Sequence, residues 1–308
     1  MTLDQLGKPF QGTVWYWIED TYGDGESATT LPISCKIQNI RIDTGDRHKV
    51  LRDIGSPIAC HLLKQTHEPK VHLEYIPQED DLLIDDSIDR AESTCTLQSI
   101  AMCIGANAYE GDADDVSYYL VVGMKPSTVR ITGSKNTEYL VVIDYEAKSI
   151  ATSTTATGSA PASLTGDYCA FNIAGEITKT GGHVVNTDHI AFCTNSVEVT
   201  VSHKLSGYTD HDSLYKAFLI EGEMDIEGSV DITLDGGGAL HVGEVLNNAA
   251  FTLTITMGET APILTLPNCE WKNTSMNEDA GGEAITSSVP FTCHPSACSN
   301  IVSVYTPA

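Results

Sequence analysis

Three stretches of the sequence carry residue types that could support chemistry. Asp235 is followed by three glycines, four histidines lie between His183 and His211, and Asp112–Asp115 contains three carboxylates. The glycine turn lacks the GxGxxG spacing of a dinucleotide site and the Gly-Lys-Ser/Thr of a P-loop, and no two of the histidines have the His-x-x-x-His spacing of a zinc enzyme. The acidic run lacks the spaced ligands of a calcium loop. We interpret the three as a turn, structural or surface histidines, and solvated charge.

Catalytic machinery is not indicated elsewhere. There is no Gly-x-Ser-x-Gly motif, and acidic residues are too abundant for any one pair to identify an acid and a base. Trp15, Trp17 and Trp271 could stack a ligand, although core or subunit packing is the favoured interpretation. The sequence predicts no catalytic residue, no cofactor and no metal, so a hydrolase with scattered carboxylates stays unsupported.

Composition limits the function further. The chain has 308 residues, and 17 Lys+Arg against 42 Asp+Glu give a formal charge of -25. Such a charge repels nucleic acid and anionic membranes, and no apolar run reaches the ~20 residues that cross a bilayer. The N-terminus shows no secretory signal. Nine cysteines without a Cys-x-x-Cys motif predict mostly buried free thiols.

Apolar residues alternate with polar ones along most of the chain, which predicts strands with one buried face. A Ser/Thr/Ala/Gly-rich segment at residues 151–167 predicts a linker or exposed arm between a first domain, 1–150, and a second, 168–308. Helices are predicted at 86–102 and 239–250, with a weaker candidate at 213–219. The predicted strands are 14–18, 37–42, 71–76, 139–143, 197–201, 230–234 and 251–255.

The two halves resemble each other, which predicts a duplication. Residues 40–42 and 71–73 match 199–201 and 230–232, at an offset of about 159. Further along, 123–131 matches 258–266, and 149–153 matches 284–288. Each unit has a polar loop after its first strand, predicted at 43–57 and at 206–212.

The second half resembles the tail tube proteins of tailed double-stranded DNA viruses and related contractile injection systems. The resemblance rests on Gly258–Leu266, on Trp271-Lys-Asn, and on the closing turn and last strand from Gly281 to Cys293. These are patterns of strand and turn with no required chemical residue. They cover about 190–295 directly and reach the first half through the internal match.

The resemblance implies a mainly β protein of two tandem β-sandwich or split-barrel tube-like domains, each with a short helix. Family members form hexameric rings around a channel, and relatives with two fused units form trimers. The chain is therefore expected in the virion tail, assembled in the host cytoplasm. Its expected partners are itself in stacked trimeric or hexameric rings, the tape measure, the tail tip or hub, the terminator, and viral DNA in transit without specific binding; no membrane partner is expected.

Two sets of residues follow from this architecture. The polar members of four strand alternations are candidates for the channel wall, because an acidic wall would let DNA slide. A carbohydrate- or receptor-binding virion module, a tail hub and a terminator ring are the alternative functions. The candidate channel residues are Gln38, Arg41, His72, Glu74, Glu198, Thr200, Asp231 and Thr233, and the candidate ring-to-ring loop residues are Thr44, Asp46, Arg47, Arg52, Asp53, Ser206, Tyr208, Asp210 and Asp212.

Overall fold

The computed structural model describes most of the chain between residues 13 and 303. Within this part the protein is mainly β and its sheets are antiparallel. The described residues are 13–25, 29–45, 48–51, 61–64, 67–91, 94–107, 116–171, 177–181, 194–209, 213, 215–234, 250–259, 262–272, 275–277, 285–295 and 301–303.

One large sheet contains all but two of the described strands, and it is open rather than closed into a barrel. Its main path is β11-β14-β15-β17-β13-β12-β8-β7-β1-β2, and β9, β6 and β3 branch from β8. The elements are β1 Thr13–Ile18, β2 Leu31–Pro32, β3 Ile37–Asp43, β4 His48–Leu51, β5 His61–Lys64, β6 Lys70–Tyr75, α1 Leu83–Ile88, β7 Ile100–Asn107, β8 Val116–Ser134, β9 Leu140–Glu146, β10 Ser149–Ser153, β11 Ile177–Gly181, β12 Thr194–Thr209, β13 Lys216–Leu234, β14 Phe251–Thr256, β15 Ile263–Trp271, β16 Ser275–Asn277, β17 Ile285–Cys293 and β18 Val302–Ser303.

Alternation of apolar and polar residues explains the core. In β9, Val141, Ile143 and Tyr145 are buried while the residues between them are half-buried, and β6 and β12 follow the same rule. Successive side chains of a strand point to opposite faces of the sheet, so each such strand buries one row. The main apolar cluster draws residues from both halves of the chain, from Tyr16 to Val302.

All seven predicted strands are present, but two predicted helices are wrong. Helix α1 ends at Ile88 because Asp89 is extended, and Cys95 has a positive φ of 53°. Residues 100–102 belong to β7, which pairs with β1 and β8, so tertiary pairing overrides the helical pattern. The candidate at 213–219 is wrong because β13 begins at Lys216. The helix predicted at 239–250 lies outside the described residues except for Ala250.

Both predicted loops contain strand. Within 43–57 the structure has β4, which pairs with β5 in a separate two-stranded sheet. Residues 206–209 continue β12 and pair with β13, because the β12–β13 hairpin is longer than the alternation indicated. The loop predictions are therefore wrong for residues 48–51 and for residues 206–209.

The cysteines differ in part from expectation. Cys103 and Cys169 are buried thiols and Cys35 is an exposed one, whereas Cys269 and Cys293 form a disulfide. These two residues are directly opposite each other in β15 and β17, which places their Cα atoms 4.0 Å apart. Cys95 is also disulfide-bonded.

The segment 151–167 begins in β10 and then returns to the first half of the chain. The Trp15 indole donates to Thr157 O at 3.0 Å, and the Gln78 amide donates to Gly166 O at 2.7 Å. Strands of the two halves meet directly, because β8 pairs with β12 from Ser134↔Ser196 to Thr128↔Ser202. The division of the chain into two domains at this segment stays a prediction.

Candidate functional site

One face of the sheet is polar across β3, β6, β9, the second part of β8, β12, the second part of β13, and β17. Directly paired residues of antiparallel strands lie on the same face. Register pairs such as Arg41↔His72, His72↔Asp144 and Thr128↔Ser202 therefore continue one polar row from strand to strand. We call this surface the polar face; the opposite face carries the apolar core.

The structure brings most of the predicted channel residues together on this face, although they lie far apart in the sequence. Gln38 is exposed beside a register irregularity between Ile37 and Asn39. Thr233 is opposite Thr286 in β17. The predicted residues that share the polar face by register are Arg41, His72, Glu74, Glu198, Thr200 and Asp231.

Ion pairs and hydrogen bonds join neighbouring strands across the polar face. His72 Nδ1 is 2.7 Å from Asp144 Oδ1, linking β6 to β9. Arg130 Nη2 is 2.7 Å from Glu198 Oε1 across the β8–β12 junction, where the side chains are 51% and 41% exposed. Exposed ion pairs of this kind contribute about 0–1 kcal/mol each to the free energy of unfolding, so they add little to the stability of the fold.

The polar face carries more carboxylates than cations. Sequence reasoning missed the contributions of β8 and β9, although their alternation was visible in the sequence. The carboxylates placed there by register are Asp43, Glu74, Asp144, Glu146, Glu198, Asp225, Glu227, Asp231 and Glu270, and the cations are Arg41, Lys70, Lys125 and Arg130. Lys272 adds a cation 2.8 Å from Glu227 Oε1.

A second surface lies on the outer half of the β12–β13 hairpin. Tyr208 and Phe218 are directly paired, stack at 5.0 Å between ring centroids, and are 49% and 45% exposed. Ile220 and Tyr215 are also exposed. Clustered exposed aromatics of this kind favour an interaction surface. We call these four residues the hairpin patch.

Two ion pairs near the turn end of this hairpin join it to the first half of the chain. Lys216 Nζ is 2.6 Å from Glu146 Oε2, and Lys125 forms a buried ion pair with Glu221. Burying both charges of a pair makes the loss of either partner costly. These ion pairs therefore hold the outer part of the hairpin, which carries the hairpin patch, against the first half of the chain.

Of the predicted ring-to-ring residues, Thr44, Ser206 and Tyr208 are described. Thr44 follows β3, and Ser206 and Tyr208 belong to β12. Asp46, Arg47, Arg52, Asp53, Asp210 and Asp212 lie outside the described residues.

A buried polar cluster surrounds α1. Asp81 is fully buried, and burial raises its pKa to about 7, although Leu83 N–H donates to its Oδ1 at 3.0 Å. Burial also raises the pKa of Asp86, which accepts from the Tyr16 hydroxyl, to about 6. His203 is buried beside Arg90, and burial lowers its pKa to about 4, so its imidazole is neutral at pH 7. The hydrogen bond between Tyr16 of β1 and Asp86 holds α1 against the sheet.

The other chemical candidates do not form a site in the described part of the chain. Trp15, Trp17 and Trp271 are all buried, so they form core and not a ligand-stacking face. No cluster of metal-ligating side chains occurs among the described residues. The glycine turn after Asp235, the run 112–115 and most of the histidine stretch lie outside these residues. No described helix has the length and apolar character needed to cross a membrane.

The strand pairing of the first half recurs in the second. In the first half, β1 pairs with β7, β7 with β8, β8 with β10 and β9, β9 with β6, and β6 with β3. In the second half, β11 pairs with β14, β14 with β15, β15 with β18 and β17, β17 with β13, and β13 with β12. The strands occur in the same order along the chain in both series.

This pairing corrects one internal match made from the sequence. Residues 149–153 form β10, which pairs with β8, whereas 285–293 form β17, which pairs with β13. The strand β9 pairs with β6 and β8, and β17 pairs with β13 and β15. In the repeated pairing, β17 is therefore the equivalent of β9. The two segments have similar apolar alternation but different partners. Alternation predicts that a segment is a strand and does not specify which strand it pairs with.

The features above define a mainly β protein with an open antiparallel sheet, apolar on one face and acidic on the other. Residues 99–293 match the model of the family described as phage tail tube protein. The chain belongs to this family and is thus a structural protein of the phage tail. The comparison with curated proteins finds no match.

Proposed function

We propose that this protein contains two fused tube units and that three copies close one ring of a tail tube. The repeated strand pairing of the two halves is the observation that carries the proposal. A single chain would then supply two adjacent positions of a pseudo-sixfold ring. The β8–β12 ladder would be the junction between these positions.

In the proposed ring the polar face lines the channel, and the opposite face, which carries the apolar core, is turned away from it. The excess of carboxylates on this face supports the assignment, because phosphate backbones are repelled by such a wall and pass without binding. The candidate channel residues named from the sequence keep this role in the proposal. Rings would stack into a tube through which the genome passes into the host cell.

The hairpin patch is the proposed contact between stacked rings. Apolar contacts drive association without requiring two acidic copies to bring carboxylates together. The equivalent position in the first half is occupied by β4 and β5, between β3 and β6. The predicted loop residues on both sides belong to this proposed interface, and the tape measure, hub and terminator would contact the ends of the tube.

Electron microscopy of the purified protein, with light-scattering mass of the smallest ring, tests this function. We expect hollow rings of three chains that stack into tubes. Six chains per ring would retain the tube and refute the fused units. A single ring that never stacks would favour a hub or terminator, and a compact particle without a channel would refute the proposal.

A variant separates ring formation from stacking. We expect Phe218→Asp to form rings but few tubes, because a charge replaces an exposed aromatic ring at the center of the hairpin patch. The matched control, Phe218→Tyr, retains the stacked pair with Tyr208 and should form tubes as the unmodified protein does. Normal tubes from Phe218→Asp would exclude the hairpin patch from the ring contact.

A further inference from the structure

The strand β10 borders a pocket that the polar face does not include. Among the described residues β10 pairs with β8 and with no other strand. A cavity of about 560 Å³ lies between β10 and the start of β13, and this volume is in the range of about 300–1,000 Å³ that ligand pockets occupy. We call this cavity the β10 pocket. Its lining residues are Lys148, Ser149, Ile150 and Ala151 on one side and Ser213, Tyr215, Lys216 and Ala217 on the other.

An aromatic ring is held at the β13 side of this pocket. Tyr215 N–H donates to Ser213 Oγ at 3.1 Å, and Ser213 Oγ donates to Tyr215 O at 3.2 Å. The Tyr215 ring stacks on His67 with 5.1 Å between the ring centroids, yet 43% of Tyr215 is exposed. The ring is therefore positioned by contacts on both its backbone and its side chain and is still accessible to a ligand.

Lysines are concentrated around the β10 pocket, in a chain with 42 acidic and only 17 basic residues. Lys216 and Lys70 share the carboxylate of Glu146, at 2.6 and 4.0 Å, and Lys125 pairs with buried Glu221. The Nζ atoms of Lys125 and Lys148 lie 5.6 and 5.5 Å from the centroid of the Tyr22 ring. The four lysines of this group are Lys70, Lys125, Lys148 and Lys216.

Lys148 differs from the other three lysines, because no carboxylate of the described residues contacts it. Its Nζ donates to Tyr22 O and Gly23 O at 3.4 Å each. The carboxylate of Glu19, from the same loop, accepts instead from three backbone N–H groups. A carboxylate that entered the β10 pocket could therefore pair with Lys148 without displacing another ion pair.

A carboxylate carried on an extended peptide fits these features better than nucleic acid does. The unpaired edge of β10 offers backbone N–H and C=O groups to a peptide, whose alternate side chains could enter a pocket beside the strand. Binding of a phosphate backbone requires several free cations, whereas three of the four lysines are already paired with Glu146 or Glu221. The formal charge of -25 also repels a polyanion.

We infer that the β10 pocket binds an extended acidic segment of a different protein, with a carboxylate at Lys148 and the peptide backbone along β10. The pocket lies within one chain and does not require the proposed ring. The contacts proposed between copies, at the polar face and the hairpin patch, leave β10 unpaired, although Tyr215 belongs to both the hairpin patch and the pocket. Assigning the occupant to a different protein rests on that proposed function, whereas the peptide site itself does not.

Binding of a labelled acidic peptide to dissociated chains tests the inference. The probe is a short acetylated peptide that alternates threonine and glutamate and carries a fluorophore, and its matched control has glutamine in place of every glutamate. Fluorescence anisotropy measures binding. We expect a dissociation constant below about 1 mM for the acidic peptide at low salt, and binding at least about tenfold weaker for the glutamine peptide. High salt should remove most of this difference, because it screens the ion pair.

Two substitutions locate the bound peptide. Lys148→Met removes the free cation, and Ala217→Leu fills the cavity from the opposite side; each should weaken binding at least about tenfold. Because Ala217→Leu leaves Lys148 in place, its effect does not depend on the loop that Lys148 contacts. The matched control, Lys272→Met, removes an exposed cation that pairs with Glu227 and does not line the pocket, and should leave binding unchanged.

The outcomes separate this inference from the tube function. Equal binding of the two peptides, no binding of either, or unchanged binding to Lys148→Met would overturn the inference and leave the tube function standing. Tighter binding of a duplex DNA oligonucleotide than of the acidic peptide would also overturn it. Binding to dissociated chains but not to assembled tubes would mean that a second copy covers the pocket, and would overturn the assignment to a different protein. Failure to form tubes would refute the tube function without altering peptide binding to dissociated chains.

Discussion

Replacing the buried Asp81 by asparagine should stabilise the protein at neutral pH. The carboxyl group is fully buried, and burial raises its pKa from 3.8 to about 7; Asp80 and Asp86 add to the rise, whereas hydrogen bonds from Leu83 N–H and the Tyr75 hydroxyl oppose it. At about 1.4 kcal/mol for each unit of pKa, ionising this group in the fold costs about 4 kcal/mol. Asparagine has nearly the same shape and keeps the acceptor for Leu83 N–H.

The sign of the pH dependence follows from proton binding. Between pH 4 and 7 the folded protein holds the Asp81 proton while the unfolded chain releases it, so the free energy of unfolding falls as pH rises. Below pH 4 both states are protonated and the penalty is absent. The Asp81→Asn variant should lose most of this slope, and Asp86, whose pKa is raised to about 6, should leave a smaller one.

Urea denaturation at a fixed chain concentration between pH 4 and 8 measures this effect. The matched control is Asp225→Asn, which neutralises a half-exposed carboxylate on the polar face and should change stability by less than about 0.5 kcal/mol. If Asp81→Asn is as pH-dependent as the unmodified protein, or less stable at pH 8, the reasoning about this carboxyl group is refuted.

Three further predictions concern the sheet. Lys125→Met should lower the free energy of unfolding by about 3–5 kcal/mol, because it leaves the buried carboxylate of Glu221 without its cation. Adding Glu221→Gln to this variant should restore more than half of the lost stability. An equal loss in the single and the double variant would contradict this. Gly123→Ala should lower the free energy of unfolding, measured by thermal unfolding, by about 1–3 kcal/mol. Gly123 has a φ of 65°, and a Cβ there would lie 2.6 Å from Lys148 Cβ. The control Gly222→Ala, at a position without a positive φ, should lower it by less than about 1 kcal/mol. Replacing Cys269 and Cys293 together by alanine should lower the free energy of unfolding by about 3 kcal/mol, given the sequence separation of 24 residues, and an unchanged denaturation midpoint would contradict a stabilising role for this disulfide.

Much of the sheet could be predicted from the sequence because alternation directly reports a half-buried strand. The polar members of β6 and β12 became candidates for one surface through the family resemblance together with their alternation, and the register places them on the same face. Their contacts could not be predicted, since the approach of Arg130 to Glu198 depends on which strands become neighbours. Local pattern does not specify that choice.

The errors have the same origin. The segment 86–102 has apolar residues at helical spacing, yet Ile100 and Met102 are buried by pairing with strands far away in the chain. Tyr208 was assigned to a loop and Phe218 to a weak helix, because the long β12–β13 hairpin is stabilised by contacts with the first half of the chain, such as Lys216 with Glu146. Neither contact leaves a signal within the segment itself.

In the proposed ring of three chains, each chain supplies two tube units. Cryo-electron microscopy of the assembled tube tests it most directly, by counting chains per ring and locating the polar face. We expect threefold rings in which both halves of each chain contribute strands to the channel wall and the polar face is turned inward. Six chains in a ring, or a channel wall formed by one half of the chain only, would contradict it.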